Sequence, residues 1–186
     1  MGRTATIDDG ELVARLTEAF RNLGYEGATL ALLAEATGLQ KASLYHRFPG
    51  GKEQMAREVL ESAQSWIEEH ILRPLRSPGD PAARVAAMTQ RLEELYSGGR
   101  QPCLLNVLAS GRNLDGPFAA EIKGMFQAWI TALSAVAVDA GVDKKVARVR
   151  AERFVALLEG SLVVARGMGT LTPFRDFLKS APAELF

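Results

Sequence analysis

Residues 29–52 read TLALLAEATGLQKASLYHRFPGGK, and the fold turns on this stretch. Thr29 is a good N-cap, because its hydroxyl can accept from a backbone N–H that the first helical turn leaves unpaired. Behind it Leu30, Leu33 and Ala34 recur at helical spacing and give one apolar face. Gly38 stands where that helix must stop, since glycine enters the left-handed backbone region without steric penalty. A second helix then begins, with Ala42, Leu44, Tyr45 and Phe48 available for packing, and Pro49-Gly50-Gly51 ends it. Two short helices about a glycine turn make a helix-turn-helix, the motif that lays its second helix in the major groove of DNA.

The charge pattern agrees locally. Between Thr37 and Lys52 there is no acidic residue, and the basic side chains are Lys41, Arg47 and Lys52. Thr37, Gln40, Ser43, Tyr45 and His46 add polar groups of the kinds that bond phosphates or read base edges. Residues 1–60 as a whole carry seven basic and eight acidic side chains, a net charge of minus one. DNA-binding domains are more often basic overall. Asp8, Asp9, Glu11 and Glu18 fall on the expected first helix, away from the recognition segment, so binding is expected to rest on local charge and to depend moderately on salt. A helical hairpin with a solvated basic face is the plain alternative.

Beyond Lys52 the pattern is helical throughout. A long helix is expected over about Lys52–Leu72, with Met55, Val59, Ala63, Trp66 and Ile67 at core spacing and Pro74 limiting it. A helix from about Pro81 to Tyr96 carries Val85, Met88, Leu92 and Leu95, and Ser97-Gly98-Gly99 breaks it. CLLNVLASG makes a short apolar helix; another runs from Asp115-Gly116-Pro117 to about Ala140. Gly141 and Asp143 punctuate the chain before a helix to about Gly167, and a last short helix begins at Thr172-Pro173. No credible strand is visible.

The first segment is similar to the N-terminal DNA-binding domain of the TetR/AcrR family of bacterial transcriptional regulators. The resemblance is carried by LLAEATGL, KASLYHRF and GGKEQMA, and upstream by LVARLTEAFRNLGYEGATL, which looks like the family's first helix and its Gly-Tyr-x-Gly-x-Thr connection. It covers the first quarter to third of the chain. CLLNVLASG, together with the FPGGKE turn, resembles one drug-responsive branch of the family.

The resemblance implies an all-α fold: a three-helix helix-turn-helix domain over residues 1–51, then a larger helical domain for ligand binding and dimerisation over residues 52–186. It places Lys41, Ser43, Tyr45 and His46 on DNA, with Gln40, Lys41 and His46 the candidates for base reading. Thr29 and Lys52 would meet phosphates, Thr29 through its hydroxyl and the adjacent helix start. Tyr45 has a second reading as a core ring and His46 as a merely exposed side chain; Leu44 and Phe48 read as core. The expected partners are a double-stranded, near-palindromic operator, a second copy of the chain, and a small, largely apolar effector that relieves repression. An effector that favoured one tilt of the long helix, which touches both domains in this reading, would lower operator affinity.

Candidate pocket walls are Trp66, Met88, Leu92, Leu105, Leu108, Met125, Phe126 and Trp129, with His70, Asn106 and Asn113 as polar contacts. Each is also readable as an ordinary core or surface residue. The candidate dimer surface is the helix Ala147–Ala165 with the helix before it, where Ala151, Ala156, Gly160, Ser161 and Ala165 allow close approach; intramolecular packing is the other reading.

Other functions find little support. Two histidines, one cysteine and no glycine-rich phosphate loop offer no nucleophile–base pair, nucleotide cradle or metal-ligand cluster, so neither enzyme activity nor a cofactor is expected. An all-helical adaptor that binds only protein is a third class, and it would need a covered recognition face. Cys103 reads either as a small buried hydrophobe or, beside Arg100, as an oxidant sensor. The amino terminus lacks a secretory core, and no apolar run is long enough to cross a bilayer, so a cytoplasmic, non-membrane protein is expected.

Overall fold

Helix α1 (Asp9–Gly27) starts at Asp8, whose carboxylate accepts from the backbone N–H groups of Gly10 and Glu11 at 2.8 and 3.1 Å. The cap pairs two orphan donors and sets negative charge at the positive end of the helix. Leu12, Leu16, Ala19 and Phe20 form its buried stripe. Gly24, at φ 70° and ψ 168°, breaks the helical path before the last turn. The computed structural model describes residues 7–109 and 115–186, so Asn113 lies outside the described residues.

Helices α2 (Leu30–Thr37) and α3 (Lys41–Arg47) stand where the sequence places them, and α4 (Gly51–Ile67) follows. Pro74 does not end the long helix as expected. The chain passes through a π-helical turn, Glu68–Leu72, into a short helix α5 (Arg73–Arg76). Pro74 has no N–H for the His70 carbonyl, and in α register its ring would collide with that oxygen. The Arg73 N–H instead donates to the Glu68 carbonyl, five residues back, and this wider turn carries the chain past the proline.

Helix α6 (Pro81–Leu95) is capped by Asp80, and α7 (Leu104–Ala109) is short. Helix α8 (Ala119–Asp139) begins after Asp115-Gly116-Pro117, because Pro117 and Phe118 are still in a turn that buries the Phe118 ring. Helix α9 (Lys144–Met168) lies between the Asp143 cap and Gly169. Helix α10 (Thr172–Leu185) is longer than the short helix expected, because Phe174, Phe177, Ala181 and Leu185 continue one buried stripe. The described residues are helical with no strand, an all-α fold with a helix-turn-helix head and a larger helical domain.

Two compact units divide the chain. One holds Met1–Gln64 and Leu104–Ala119; the other holds Ser65–Cys103 and Ala120–Phe186. The division therefore falls inside α4, beyond the boundary at Lys52 expected from the sequence. In the first unit Leu16, Phe20, Leu33, Leu44, Phe48, Met55 and Val59 are buried, and α7 packs on α1. In the second, Phe154 meets Phe177 edge-on at 5.1 Å and Tyr96 meets Phe174 at 5.9 Å, with α9 packed most extensively on α10. No described helix is long and apolar enough to cross a membrane.

Candidate nucleic-acid interface

The turn between α2 and α3 is built by local chemistry. Thr29 Oγ1 accepts from the Leu32 N–H at 3.3 Å and caps α2. Gly38 sits at φ 71°, in the left-handed region, and its N–H returns to the last carbonyls of α2. Thr37, the buried polar residue here, donates its hydroxyl to the Leu33 carbonyl at 2.8 Å. Its own carbonyl accepts from Arg15 of α1 at 3.0 Å. A side chain on the first helix thus clamps the turn, a contact no local sequence rule predicts.

Helix α3 has two unlike faces. Leu44 and the following Phe48 are fully buried. Lys41, Ala42, Tyr45 and His46 are exposed, and Ser43 is half-buried. Tyr45 is 55% exposed, which sets aside its reading as a core ring. Gln40 occupies the N-cap position without making a side-chain cap bond and lies on the surface. Gln40, Lys41, Tyr45 and His46 are therefore all exposed at and along α3, and Thr29 is exposed at the start of α2.

Two basic residues of the segment are committed to protein groups. Lys52 Nζ donates to the Tyr25 carbonyl at 2.7 Å and stands 4.3 Å from the centre of the Tyr25 ring. A lysine ammonium keeps two further N–H donors after one such bond. Arg47 Nε donates to Asp9 at 3.1 Å, and its two terminal nitrogens donate to the carboxylate of Glu58 at 3.2 and 2.9 Å. Asp9 is therefore not remote from the recognition segment, as its place on α1 suggested; the helix start folds back onto the end of α3. Glu58 first, then Asp9, raise the pKa of the Arg47 guanidinium by accepting its hydrogen bonds. Because this pKa is raised, the guanidinium's own contribution is present below its already high ordinary value and is lost only as pH rises through the raised one.

The expected pocket residues divide between the units. Leu105 and Leu108 are buried in the unit that contains α1, with Asn106 beside them, whereas Trp66, His70, Met88, Leu92, Met125, Phe126 and Trp129 belong to the other. The helix of Leu105 and Leu108 packs on α1 within their unit. The Trp66 and His70 rings lie 4.7 Å apart on one helical turn. The Trp129 indole N–H is buried with no hydrogen-bond partner among the described residues. Cys103 is buried.

The second unit also exposes apolar surface. Val146, Val149, Leu157, Val163, Val164 and Met168 of α9 are all open to solvent, Val149 at 64% and Met168 at 68%. Between α9 and α10 lies an open groove of about 550 Å³ lined by Ala156, Leu157, Gly160, Ser161, Val164, Pro173 and Phe177, with Asp176, Ser180 and Glu184 also on its walls. Helix α9 is thus apolar on two sides. The groove lies between it and the helix that follows it, whereas the dimer surface expected from the sequence joins it to the helix before it.

A three-helix head with a glycine turn, a buried inner face and a polar, exposed third helix defines a DNA-binding protein of the helix-turn-helix class. Residues 12–59 match the bacterial regulatory proteins of the tetR family, and residues 81–180 match the transcriptional regulator LmrA/YxaF-like C-terminal domain. The chain belongs to the TetR family of transcriptional regulators, with an LmrA/YxaF-like C-terminal domain, and the family is one of regulators, not enzymes. It is 24% identical over 175 residues to the HTH-type transcriptional regulator LmrA of Bacillus subtilis (strain 168), covering 92% of this chain and 93% of LmrA. A TetR transcriptional regulator from Legionella pneumophila has the same fold, with a TM-score of 0.82 at 20% identity over 98% of this chain and 100% of its own. The fold also matches AibR, solved in complex with isovaleryl coenzyme A and operator DNA, with a TM-score of 0.62 at 22% identity over 81% of this chain and 86% of AibR.

Proposed function

We propose that the chain is a homodimeric, effector-responsive repressor of the cytoplasm that reads a near-palindromic operator through α3. The observation that carries this reading is the face of α3 made by Lys41, Tyr45 and His46, exposed on a helix whose opposite side is buried. Gln40, Lys41 and His46 are assigned to base edges; Ser43 and Tyr45 support the contact, and Thr29 and Lys52 meet phosphates. The apolar face of α9 and the groove it forms with α10 receive the second copy, which places two recognition helices about one DNA turn apart or a multiple of it.

The effector is small and largely apolar, and its site draws on Trp66, His70, Met88, Leu92, Met125, Phe126 and Trp129. The buried, unpartnered Trp129 N–H supports an effector that carries a hydrogen-bond acceptor, since leaving such a donor unpaired costs about 1–3 kcal/mol. AibR, with an acyl-coenzyme A and operator DNA in one structure, supports effector control within this fold. Helix α4 runs unbroken across the division between the two units, so an effector that favours one tilt of it would lower operator affinity.

The test is selection of bound duplexes from random DNA by the purified protein, followed by footprinting of the enriched site. A protected near-palindrome that Lys41→Ala loses at the same salt concentration is the expected result. Failure of the wild-type protein to enrich any sequence, at low salt and with the protein folded, would overturn the reading.

A further inference from the structure

We propose that Arg47 is a positioning residue: it holds the carboxyl end of the recognition helix between α1 and α4, and it does not contact DNA. The inference rests on the DNA-binding role of α3 and concerns how that helix is held. From sequence, Arg47 is one of three basic residues in a segment without acids, and a phosphate contact is its obvious use. The geometry points elsewhere. Three of its N–H donors are engaged: one by Asp9 at the start of α1, two by the carboxylate of Glu58 on α4. The guanidinium carbon also lies 4.7 Å from the centre of the Phe48 ring.

Charge decides between the two uses. One guanidinium with two carboxylates is a cluster of net charge minus one, which repels a phosphate. The network then continues into the turn after α3. Gln54 donates to Glu58 at 3.0 Å, and its own carbonyl accepts from the Gly50 N–H at 2.8 Å, which ties the turn after α3 into the same set. Helix α3 is seven residues long and makes no side-chain cap at its start, so it depends on such tertiary contacts to exist at one angle. Arg47 and Glu58 are 36% and 23% exposed, part-shielded from competing water.

The experiment uses the full-length protein and a fluorescein-labelled duplex that the wild-type protein has enriched from random DNA. Its affinity is measured by fluorescence anisotropy across a series of KCl concentrations. Arg47→Gln and Glu58→Gln are each expected to weaken binding roughly three- to tenfold, about what a charged hydrogen bond contributes. The double variant should bind no worse than the weaker single one, because both changes break one link. The dependence of log K on log salt should keep its wild-type slope, because no phosphate contact is lost. A slope reduced by about one in Arg47→Gln, with Glu58→Gln binding as well as or better than wild type, would overturn the proposal in favour of a phosphate contact. So would unchanged affinity in Arg47→Gln.

Amide hydrogen exchange over residues 41–48 of the unbound protein gives a second readout that needs no DNA. Faster exchange in both single variants is expected, and unchanged exchange overturns the positioning role. If the wild-type protein enriched no duplex, the regulator reading would fail while this arm still decided the role of Arg47.

Discussion

Gly38 and Gly99 both sit in the left-handed region, yet a methyl group would meet different surroundings at each. At Gly38, φ 71°, the nearest atom to an added Cβ is an Arg15 guanidinium nitrogen at 3.4 Å, which is ordinary van der Waals contact. Gly38→Ala is therefore expected to cost only the backbone term, about 1–2 kcal/mol. At Gly99, φ 94°, an added Cβ would stand 2.8 Å from Phe174 Cδ1, and that ring is fully buried. Gly99→Ala should lose roughly 2–5 kcal/mol, the same backbone term plus overpacking. Urea unfolding of the two variants checks this, and equal losses would refute the packing argument. The sequence made Gly38 legible because its neighbours on both sides carry helical periodicity. Gly99 read only as a breaker, since Phe174 reaches it from far along the chain. Asp9 was misplaced for the same reason: its partner Arg47 belongs to a different helix, and spacing carries no trace of it.

Among the helices, α9 depends on its first turn. Asp143 accepts from the backbone N–H groups of Lys145 and Val146 at 2.9 and 3.2 Å. Lys144, Lys145 and Arg148 follow at the positive end of the helix dipole, where cations are unfavourable. The carboxylate therefore supplies both hydrogen bonds and the local compensating charge. Asp143→Ala is expected to destabilise the protein by about 1–2 kcal/mol, and Asp143→Asn by less, because the amide oxygen retains the cap without the charge. Raising the salt concentration should narrow the gap between the two variants in thermal unfolding; a gap that salt leaves unchanged would refute the charge term. This cap was readable in advance, as were those at Thr29 and the glycine ends, because each is a relation between neighbours. The π turn before Pro74 was not. A proline tells the reader that the α register cannot continue, and only packing decides whether the chain stops or shifts register.

At the scale of the whole molecule, the buried stripe of α9 builds a core, while its second apolar face has no counterpart within the described residues of the chain. Val164 lies on the groove between α9 and α10 and is 46% exposed, so its side chain is available to a second copy. In a two-fold assembly each substitution enters the interface twice. Val164→Glu would then bury two carboxylates with no partners, at several kcal/mol each, and should raise the dimer dissociation constant by roughly a hundredfold or more. Val138 is a matched control: it is 41% exposed near the end of α8 and is not among the residues lining the groove. Val138→Glu should leave assembly intact. Sedimentation velocity over a concentration series distinguishes the cases, and operator affinity should fall with dissociation, since one recognition helix alone makes only half the contacts. The reverse outcome, an unaffected Val164→Glu protein and a dissociated Val138→Glu protein, would move the interface to α8 and restore the pairing with the preceding helix that the sequence first suggested.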